Sequence, residues 1–284
     1  MTRRSSALNR PARKCVFCGS GKLSSEHIWS QWARDLLPSS DGYVEVAHKY
    51  RGGKPVDPRL LRDAQGSITN KRLRRVCERC NNVWMGKKEE AVKAVLTELI
   101  SGVPSSLTKS ERDPLVDWIV TKLIVLDVFR DGEQAFTERE RAAFHTQGVV
   151  PDNLSVWLLH CGEGAWKTLF LSHAQRLTKV IGQTWVDAKP PTGEGPNLKL
   201  FLWGVGEALI VAAYAREIDA SLGMQDEYAI QLIPDQGVVR AWPPKAITAT
   251  EASSLQHTLT NLAASMGGRL IELDDDAELI TIDP

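Results

Sequence analysis

Two pairs of cysteines with identical spacing constrain the fold of this chain more than any other feature. Cys15 and Cys18 form one Cys-x-x-Cys pair, Cys77 and Cys80 form the other, and 58 residues separate the pairs. Two residues between thiolates let one tight turn present both sulfurs to a tetrahedral metal ion, and two such turns complete a four-cysteine zinc site. We therefore expect a structural zinc ion, with a substantial insertion that loops out between the pairs and returns.

Two other interpretations of the pairs remain open. Each pair could form a disulfide, but the basic N-terminal residues are followed by no apolar segment, so we expect no export and a reducing cytoplasmic setting. A redox pair is disfavoured because the motif occurs twice and lacks a thioredoxin-like βαβ pattern. The fifth cysteine, Cys161, lies in an apolar run typical of a strand, and we expect it to be a buried core thiol.

The composition is that of a globular chain, but its charge is unevenly distributed. The chain has 284 residues, of which 43% are hydrophobic, with 35 basic and 35 acidic side chains. This content excludes the disordered and fibrous classes, and no uncharged apolar run approaches the roughly 18 residues of a membrane span. Residues 1–88 nevertheless carry 19 Lys and Arg against 7 Asp and Glu. Such a basic segment is typical of contact with nucleic acid. Attraction between its surface and the acidic surface of residues 89–284 explains the charge equally well.

Hydrophobic patterning predicts an α+β protein. The first third should contain a basic arm at 1–14, a short helix starting at or near His27, a strand at 43–46 and a helix from Asn81 to about Ser101. Two further helices are expected at 110–130 and after the capping-box pattern that runs from Thr137 to Glu140. Apolar runs separated by turn residues then predict a mainly antiparallel sheet from strands at 154–161, 167–173, 178–187, 198–215, 227–233 and 238–242. The last elements should be a helix at about 249–266 and one or two strands within 269–282.

Short polar strings stand beside both cysteine pairs. Ser-x-Glu-His-Ile, with Glu26 and His27, follows the first pair, and Asn81-Asn82-x-Trp-Met, with Glu89 a few residues later, follows the second. A shared zinc ion would bring the two strings together. This pattern covers residues 15 to about 90 and resembles the HNH family of nucleases, the ββα-metal or His-Me finger fold, in the version held by two Cys-x-x-Cys knuckles.

The resemblance implies a fold and a division of the chain. A small, zinc-stapled, treble-clef-like ββα-metal domain would occupy residues 1–105. A larger α+β domain with an antiparallel sheet would occupy residues 106–284. No motif marks this second domain, whose candidate roles are recognition, regulation by a ligand and homodimerisation.

The resemblance also implies a metal-dependent endonuclease that hydrolyses nucleic-acid phosphodiester bonds, with DNA as the expected substrate. His27 would be the general base that takes a proton from the attacking water, a role that a neutral imidazole suits. Glu26 and the side-chain carbonyl of Asn81 would hold one Mg²⁺ or Mn²⁺ ion. Asn82 would orient His27, and Glu89 would occupy the third position of the motif.

The densest basic run of the chain directly precedes the second cysteine pair. It consists of Lys71, Arg72, Arg74 and Arg75. We expect a strip that contacts phosphates, and the alternative is an ordinary solvated face.

Aromatic residues and the other histidines receive structural interpretations. Trp29, Trp32 and Trp84 could stack on bases, but at helical spacing beside a zinc core we expect them to pack. His145 and the remaining histidines have no ligand-like neighbours at local spacing, and we assign them no role.

A rival hypothesis gives the same residues no catalytic role. The chain would be a zinc-finger protein that binds nucleic acid through its basic face, while the C-terminal domain binds a ligand or a protein partner. No membrane partner is expected under either hypothesis.

Overall fold

A computed structural model describes the protein over residues 13–38, 42–46, 50–51, 54–55, 61–129, 134–161, 167–175, 177–180, 184–187, 196–216, 224–248, 250–251, 254, 271–273 and 279–281. The α-helices in these segments are α1 (Gly86–Ser101), α2 (Lys109–Asp127) and α3 (Glu138–Gln147). Shorter helical segments are two 3₁₀ helices, Gln31–Leu36 and Ile68–Asn70, and a π-helix, Cys80–Met85, that leads into α1. The strands are β1 (Leu23–His27), β2 (Gly42–Val46), β3 (Tyr50–Arg51), β4 (Lys54–Pro55), β5 (Leu61–Gln65), β6 (Arg72–Cys77), β7 (Ser105–Leu107), β8 (Leu154–His160), β9 (Phe170–Gln175), β10 (Leu177–Val180), β11 (Thr184–Asp187), β12 (Leu198–Val205), β13 (Ala208–Ala215), β14 (Ala229–Ile233), β15 (Arg240–Trp242), β16 (Ile271–Leu273) and β17 (Leu279–Thr281).

The cysteine-bearing segment is organised around two antiparallel strands. β1 pairs with β6, with His27 opposite Arg72 and Leu23 opposite Cys77. The prediction that a helix starts at or near His27 is therefore wrong, because His27 ends a strand and the following 3₁₀ helix begins only at Gln31. The partner strand is far away in sequence, so local helical spacing did not reveal the pairing. The predicted strand at 43–46 is confirmed as β2, which pairs with β5.

The three predicted long helices are confirmed, with end signals that explain their limits. α1 ends where Gly102 adopts a left-handed conformation with φ +66°, which glycine reaches without a steric penalty. α3 begins with the capping box in which Thr137 and Glu140 bond each other's backbone amides. α2 is buried on every side from Trp118 to Asp127, the pattern of a helix enclosed by the rest of a protein.

An antiparallel sheet forms the centre of the C-terminal part, so the α+β prediction is confirmed. The described strands of this sheet follow the order β14-β8-β13-β12-β9, with all neighbours antiparallel. Successive side chains point to opposite faces, so the sheet divides its apolar residues between two buried clusters. The predicted run at 178–187 forms a separate hairpin of β10 and β11, and β15 pairs with β7 outside the sheet.

One hydrophobic cluster joins the cysteine-bearing segment to the helices and to one face of the sheet. The indole Nε1 of buried Trp29 donates a hydrogen bond of 2.8 Å to the carbonyl of Gly204 in β12. Trp118 of α2 stacks on Trp203 with ring centroids 5.1 Å apart. The boundary near residue 105 stays a prediction, and the two parts on either side of it are in close contact.

Some predictions lie outside the described residues. The basic arm at 1–14 is described only from Arg13, and the predicted helix at 249–266 only at a few positions near its start. The last predicted strands are present as the pair β16 and β17. Among the described helices, none combines the length and the apolar character that a membrane crossing needs.

Candidate functional site

The four cysteines predicted to bind zinc come together as one cluster. Their sulfur atoms all lie within 4.8 Å of one another, and no disulfide joins them. Four sulfurs at about 2.3 Å from a tetrahedral zinc ion would stand about 3.8 Å apart, so this donor set fits the ion. Cys15, Cys18, Cys77 and Cys80 thus form a cluster that can hold a metal ion, consistent with structural zinc; we call it the cysteine cluster.

The local backbone explains how the cysteine cluster assembles. In the first pair, the amide of Gly19 donates to the carbonyl of Cys15 at 2.9 Å, and Gly19 has a φ of +74°. In the second pair, Cys77 ends β6, and the amide of Cys80 donates to the Cys77 sulfur at 3.5 Å. Burial raises the pKa of the Cys77 thiol, but hydrogen bonds from Cys80 and the neighbouring thiols outweigh burial and lower the pKa to about 7. The thiolate, the form that binds metal, is thereby favoured at Cys77, whereas burial raises the pKa of Cys18 and of Cys80.

His145, to which sequence analysis assigned no role, stands beside the cysteine cluster. Its Nε2 lies 3.6 Å from the sulfur of Cys80. Its ring packs on Trp84, with centroids 4.7 Å apart, and Trp84 in turn packs on Phe17. α3 brings His145 to this position, next to a cysteine that is distant in sequence. Trp84 packs against the cluster, as expected.

A buried lysine that the sequence analysis missed occupies the region between the two polar strings. Lys122 lies in α2 with a side-chain exposure of 1%, and its ammonium pairs with Glu26 of β1 and, at 2.9 Å, with Glu89 of α1. The same ammonium donates to the backbone carbonyl of His27 at 3.1 Å. The hydroxyl of Ser30 donates to Glu89 at 2.7 Å. We call Glu26, Lys122 and Glu89 the carboxylate–lysine triad.

Burial and charge pairing oppose each other within the triad. Burial raises the pKa of Glu26 above the usual glutamate value, and Lys122 only partly opposes that rise. Burial also raises the pKa of Glu89, but there Lys122 and Ser30 outweigh it, so this pKa lies below its usual value. For Lys122, burial lowers the pKa and the two carboxylates more than compensate, which keeps the ammonium charged.

The triad does not offer its carboxylates to a divalent cation. Mg²⁺ requires about six oxygen ligands and keeps several waters, whereas Glu26 is 5% exposed and bound to Lys122. A divalent ion about 4 Å from the ammonium would be repelled by roughly 8 kcal/mol at an effective dielectric constant of about 20. The magnesium site that the resemblance implied at Glu26 does not fit this arrangement.

His27, the expected general base, has a neutral imidazole in a cationic setting. Burial lowers its pKa below the usual 6.5, and the charges of Arg72 and Arg34 lower it further. The ring is therefore uncharged at pH 7, which is the state that a general base needs. Its Nε2 is buried and has no hydrogen-bond partner among the residues that the structure describes.

The two asparagines of the second string differ in their surroundings. The amide nitrogen of Asn81 donates to the hydroxyl of Ser24 at 3.1 Å and to the carbonyl of Ser25 at 3.4 Å. Asn81 therefore fastens the start of the π-helix to β1, next to Glu26. Asn82 is exposed, and in the described part of the chain it makes no hydrogen bond to His27.

The basic run lies on β6, directly beside His27. Strand alternation exposes Arg72 and Arg74, while Leu73 between them is buried and Arg75 is half-buried. Lys71 lies over the ring of Phe129, with its nitrogen 5.5 Å from the centroid. Part of the predicted strip therefore faces solvent, and Arg72 places that charge next to His27.

The two residues that sequence reasoning missed left different signals. Lys122 interrupts an otherwise apolar stretch of α2, and a charged residue there indicates a buried partner. His145 left none, because its partner is distant in sequence.

Comparison of the chain with models of protein families, with curated proteins and with solved structures found no match.

Proposed function

We propose that the protein is a nuclease of the HNH type that hydrolyses phosphodiester bonds of nucleic acid, with His27 as the general base. The observation that carries this proposal is the neutral, half-buried imidazole of His27 with Arg72 and Arg34 around it. A neutral imidazole accepts a proton, and guanidinium groups bind phosphate. Few other substrates need both at one place.

The geometry near the cysteines supports the finer assignment to a ββα-metal domain. β1 and β6 form the two antiparallel strands, and the helix that starts at Cys80 follows them. The cysteine cluster joins the turn before β1 to the end of β6. A structural zinc ion there would fix the position of His27 relative to Arg72 without taking part in the reaction.

The proposed reaction needs one proton acceptor and a stabilised phosphate. A water oxygen attacks the phosphorus while its proton passes to the imidazole of His27, and the bond from phosphorus to the leaving sugar oxygen breaks. That oxygen takes a proton from solvent, so the products are a phosphate monoester and an alcohol. Arg72 and Arg34 balance the charge that accumulates on the phosphate oxygens. Because the triad does not fit a divalent ion, no step passes through one.

Cleavage of plasmid DNA by the full chain tests the proposal. His27→Ala should reduce the cleavage rate at least about 100-fold, the usual contribution of a general base, while the zinc content stays unchanged. His160→Ala is the matched control, because His160 lies in the sheet and pairs with Glu207, and it should cleave as the wild type does. Parallel assays on single-stranded DNA and RNA identify the substrate. Equal cleavage by wild type and His27→Ala contradicts the assignment.

One observation favours the rival hypothesis, a zinc-dependent nucleic-acid-binding protein without catalysis. Glu26 and Glu89 each give one oxygen to Lys122, so the ammonium already occupies the position between them that a catalytic cation would take. Under this hypothesis, the wild type binds DNA but does not cleave it, and His27→Ala binds equally well. Arg72→Ala and Arg74→Ala should each lower the slope of log affinity against log salt by about 1 if they contact phosphates.

A further inference from the structure

Lys122 meets the carboxylates of two different elements where a bound cation would stand. β1 contributes Glu26, α1 contributes Glu89, and α2 carries the ammonium between them. A lysine ammonium has three N–H donors. Here they are matched by one oxygen of Glu26, one of Glu89 and the carbonyl of His27.

Such a site is costly to build, and all three donors of the ammonium are matched in it. Taking three charged groups out of water carries a large desolvation penalty, which is offset only where every donor and acceptor is satisfied. The hydroxyl of Ser30 donates to Oε1 of Glu89, the same oxygen that the ammonium of Lys122 meets. The ammonium stands between the two carboxylates, where a magnesium ion with its several waters would have to lie.

We infer that the ammonium of Lys122 is a built-in cation that occupies the position between Glu26 and Glu89, so that the native protein binds no divalent ion there. The second half of this inference rests on the function proposed above: hydrolysis that depends on His27 does not require a divalent cation. Lys122 is then a positioning residue, since it holds the His27 backbone carbonyl and is too deeply buried to touch a phosphate.

The charges around His27 agree with a positioning role for Lys122 and a phosphate-binding role for the arginines. Arg72, on the exposed face of β6, and Arg34, in the 3₁₀ helix, lower the pKa of the imidazole and are the cations nearest to solvent there. A phosphate that reaches His27 therefore meets guanidinium groups first. Lys122 offsets part of the negative charge of the carboxylate pair, which would repel the phosphate.

Binding of Mn²⁺ to the zinc-loaded full chain tests the first half of the inference, that the native protein binds no divalent ion between Glu26 and Glu89. Loss of the free-ion signal in electron paramagnetic resonance measures bound Mn²⁺, and the wild type should bind none at this site. Lys122→Ala should gain a site at least about tenfold tighter than anything the wild type shows, because removal of the ammonium removes its repulsion. Lys122→Ala combined with Glu26→Gln should lose that gain.

Two results would overturn the first half. One is a wild type that binds Mn²⁺ and loses the binding on Glu26→Gln, a comparison that needs no Lys122 variant and therefore stands even if Lys122→Ala does not fold. The other is a folded Lys122→Ala variant that gains no Mn²⁺.

Cleavage assays test the second half separately. The wild type, freed of Mg²⁺ and Mn²⁺ but shown to retain zinc, should cleave at its full rate, and a strict requirement for added Mg²⁺ overturns the inference. A wild type that cleaves nothing under any condition overturns the proposed function and this half, while the Mn²⁺ titration still decides whether Lys122 fills the site.

Discussion

The cysteine cluster and the carboxylate–lysine triad are two polar clusters of one small region, and they differ in whether the protein itself supplies a cation. The cluster gathers four thiols within 4.8 Å with no positive side chain among them. The triad gathers two carboxylates and supplies its own cation from α2. Four thiolates this close would repel one another without a metal ion, whereas the triad already contains a cation. The first can therefore hold an ion from solution, whereas the second contains a cation of its own.

The difference also decides what each cluster can contribute. A closed four-cysteine site has no open position and serves stability. A buried ion pair adds little net stability, but loss of one partner is severe, so it holds its surroundings in one arrangement. In this protein the triad bonds the backbone carbonyl of His27 and the hydroxyl of Ser30. It also joins β1, α1 and α2. The predictions below test this contrast, from the largest expected effect to the smallest.

Loss of the cysteine cluster should have the largest effect. Cys80→Ser should abolish binding of one zinc ion per chain, and because structural zinc contributes about 10–16 kcal/mol in small domains, residues 13–101 should lose their protection from proteolysis. Cys161→Ser, a buried cysteine outside the cluster, should keep zinc and cost less than about 3 kcal/mol. Zinc analysis and limited proteolysis provide the measurements. A zinc-free Cys80→Ser protein with wild-type protection would show that the region does not depend on a metal.

Loss of the built-in cation comes next. Lys122→Met leaves the buried carboxylate of Glu26 without its ion-pair partner and removes one partner of half-buried Glu89, so it should lower the free energy of unfolding by about 3–5 kcal/mol at pH 7. Lys109→Met, which breaks the exposed pair with Asp113 on the same helix, should cost less than about 1 kcal/mol. Urea denaturation compares them, and adding Glu26→Gln to Lys122→Met should restore part of the loss. Equal costs for the two lysines would remove the distinction between the triad and a surface pair.

The two clusters also differ in how far the sequence predicted them. The spacing of Cys15, Cys18, Cys77 and Cys80 is a local signal repeated twice, and it was enough to predict that they meet. Glu26 was interpreted as a metal ligand and Glu89 as the third position of the motif, because the cation that meets them lies on a third element. Lys122 could have been noticed as a charge inside an apolar helix, although nothing in the sequence states which carboxylates it meets.

The same contrast holds for the fold. α1, with its stop at Gly102, and α3, with its capping box at Thr137, follow from signals within a few residues. The apolar runs of the sheet were also recognisable from alternation and turns. His27 was misassigned because β1 exists only through pairing with β6, some 45 residues later. Long-range pairing decides such short segments, and a single sequence does not display it.

A smaller effect concerns the ring beside the cysteine cluster. His145→Ala removes the neighbour of the Cys80 sulfur, and loss of such a supporting contact weakens metal binding by about 10–100-fold. Competition for zinc against a chromophoric chelator measures this change. His160→Ala, remote from the cluster, is the control and should leave zinc affinity unchanged. Unchanged affinity in His145→Ala would mean that the four thiols alone define the site.

The smallest effect concerns the charge around His27, where the triad meets the basic strip. Arg72 lowers the pKa of His27, so Arg72→Ala should raise that pKa. Arg74 lies on the same exposed face but is not among the charges that shift the pKa of His27, so Arg74→Ala should leave that pKa unchanged. Nuclear magnetic resonance titration of the imidazole, assigned with His27→Gln, measures the shift without relying on activity. Because the folded-state pKa lies below the usual 6.5, His27 has no effect on stability above that pH. As the pH falls through 6.5, the unfolded chain takes up the proton first and the free energy of unfolding decreases. Arg72→Ala should reduce this acid-dependent loss, and an equal pKa shift in Arg74→Ala would show that the effect is a general field of the strip.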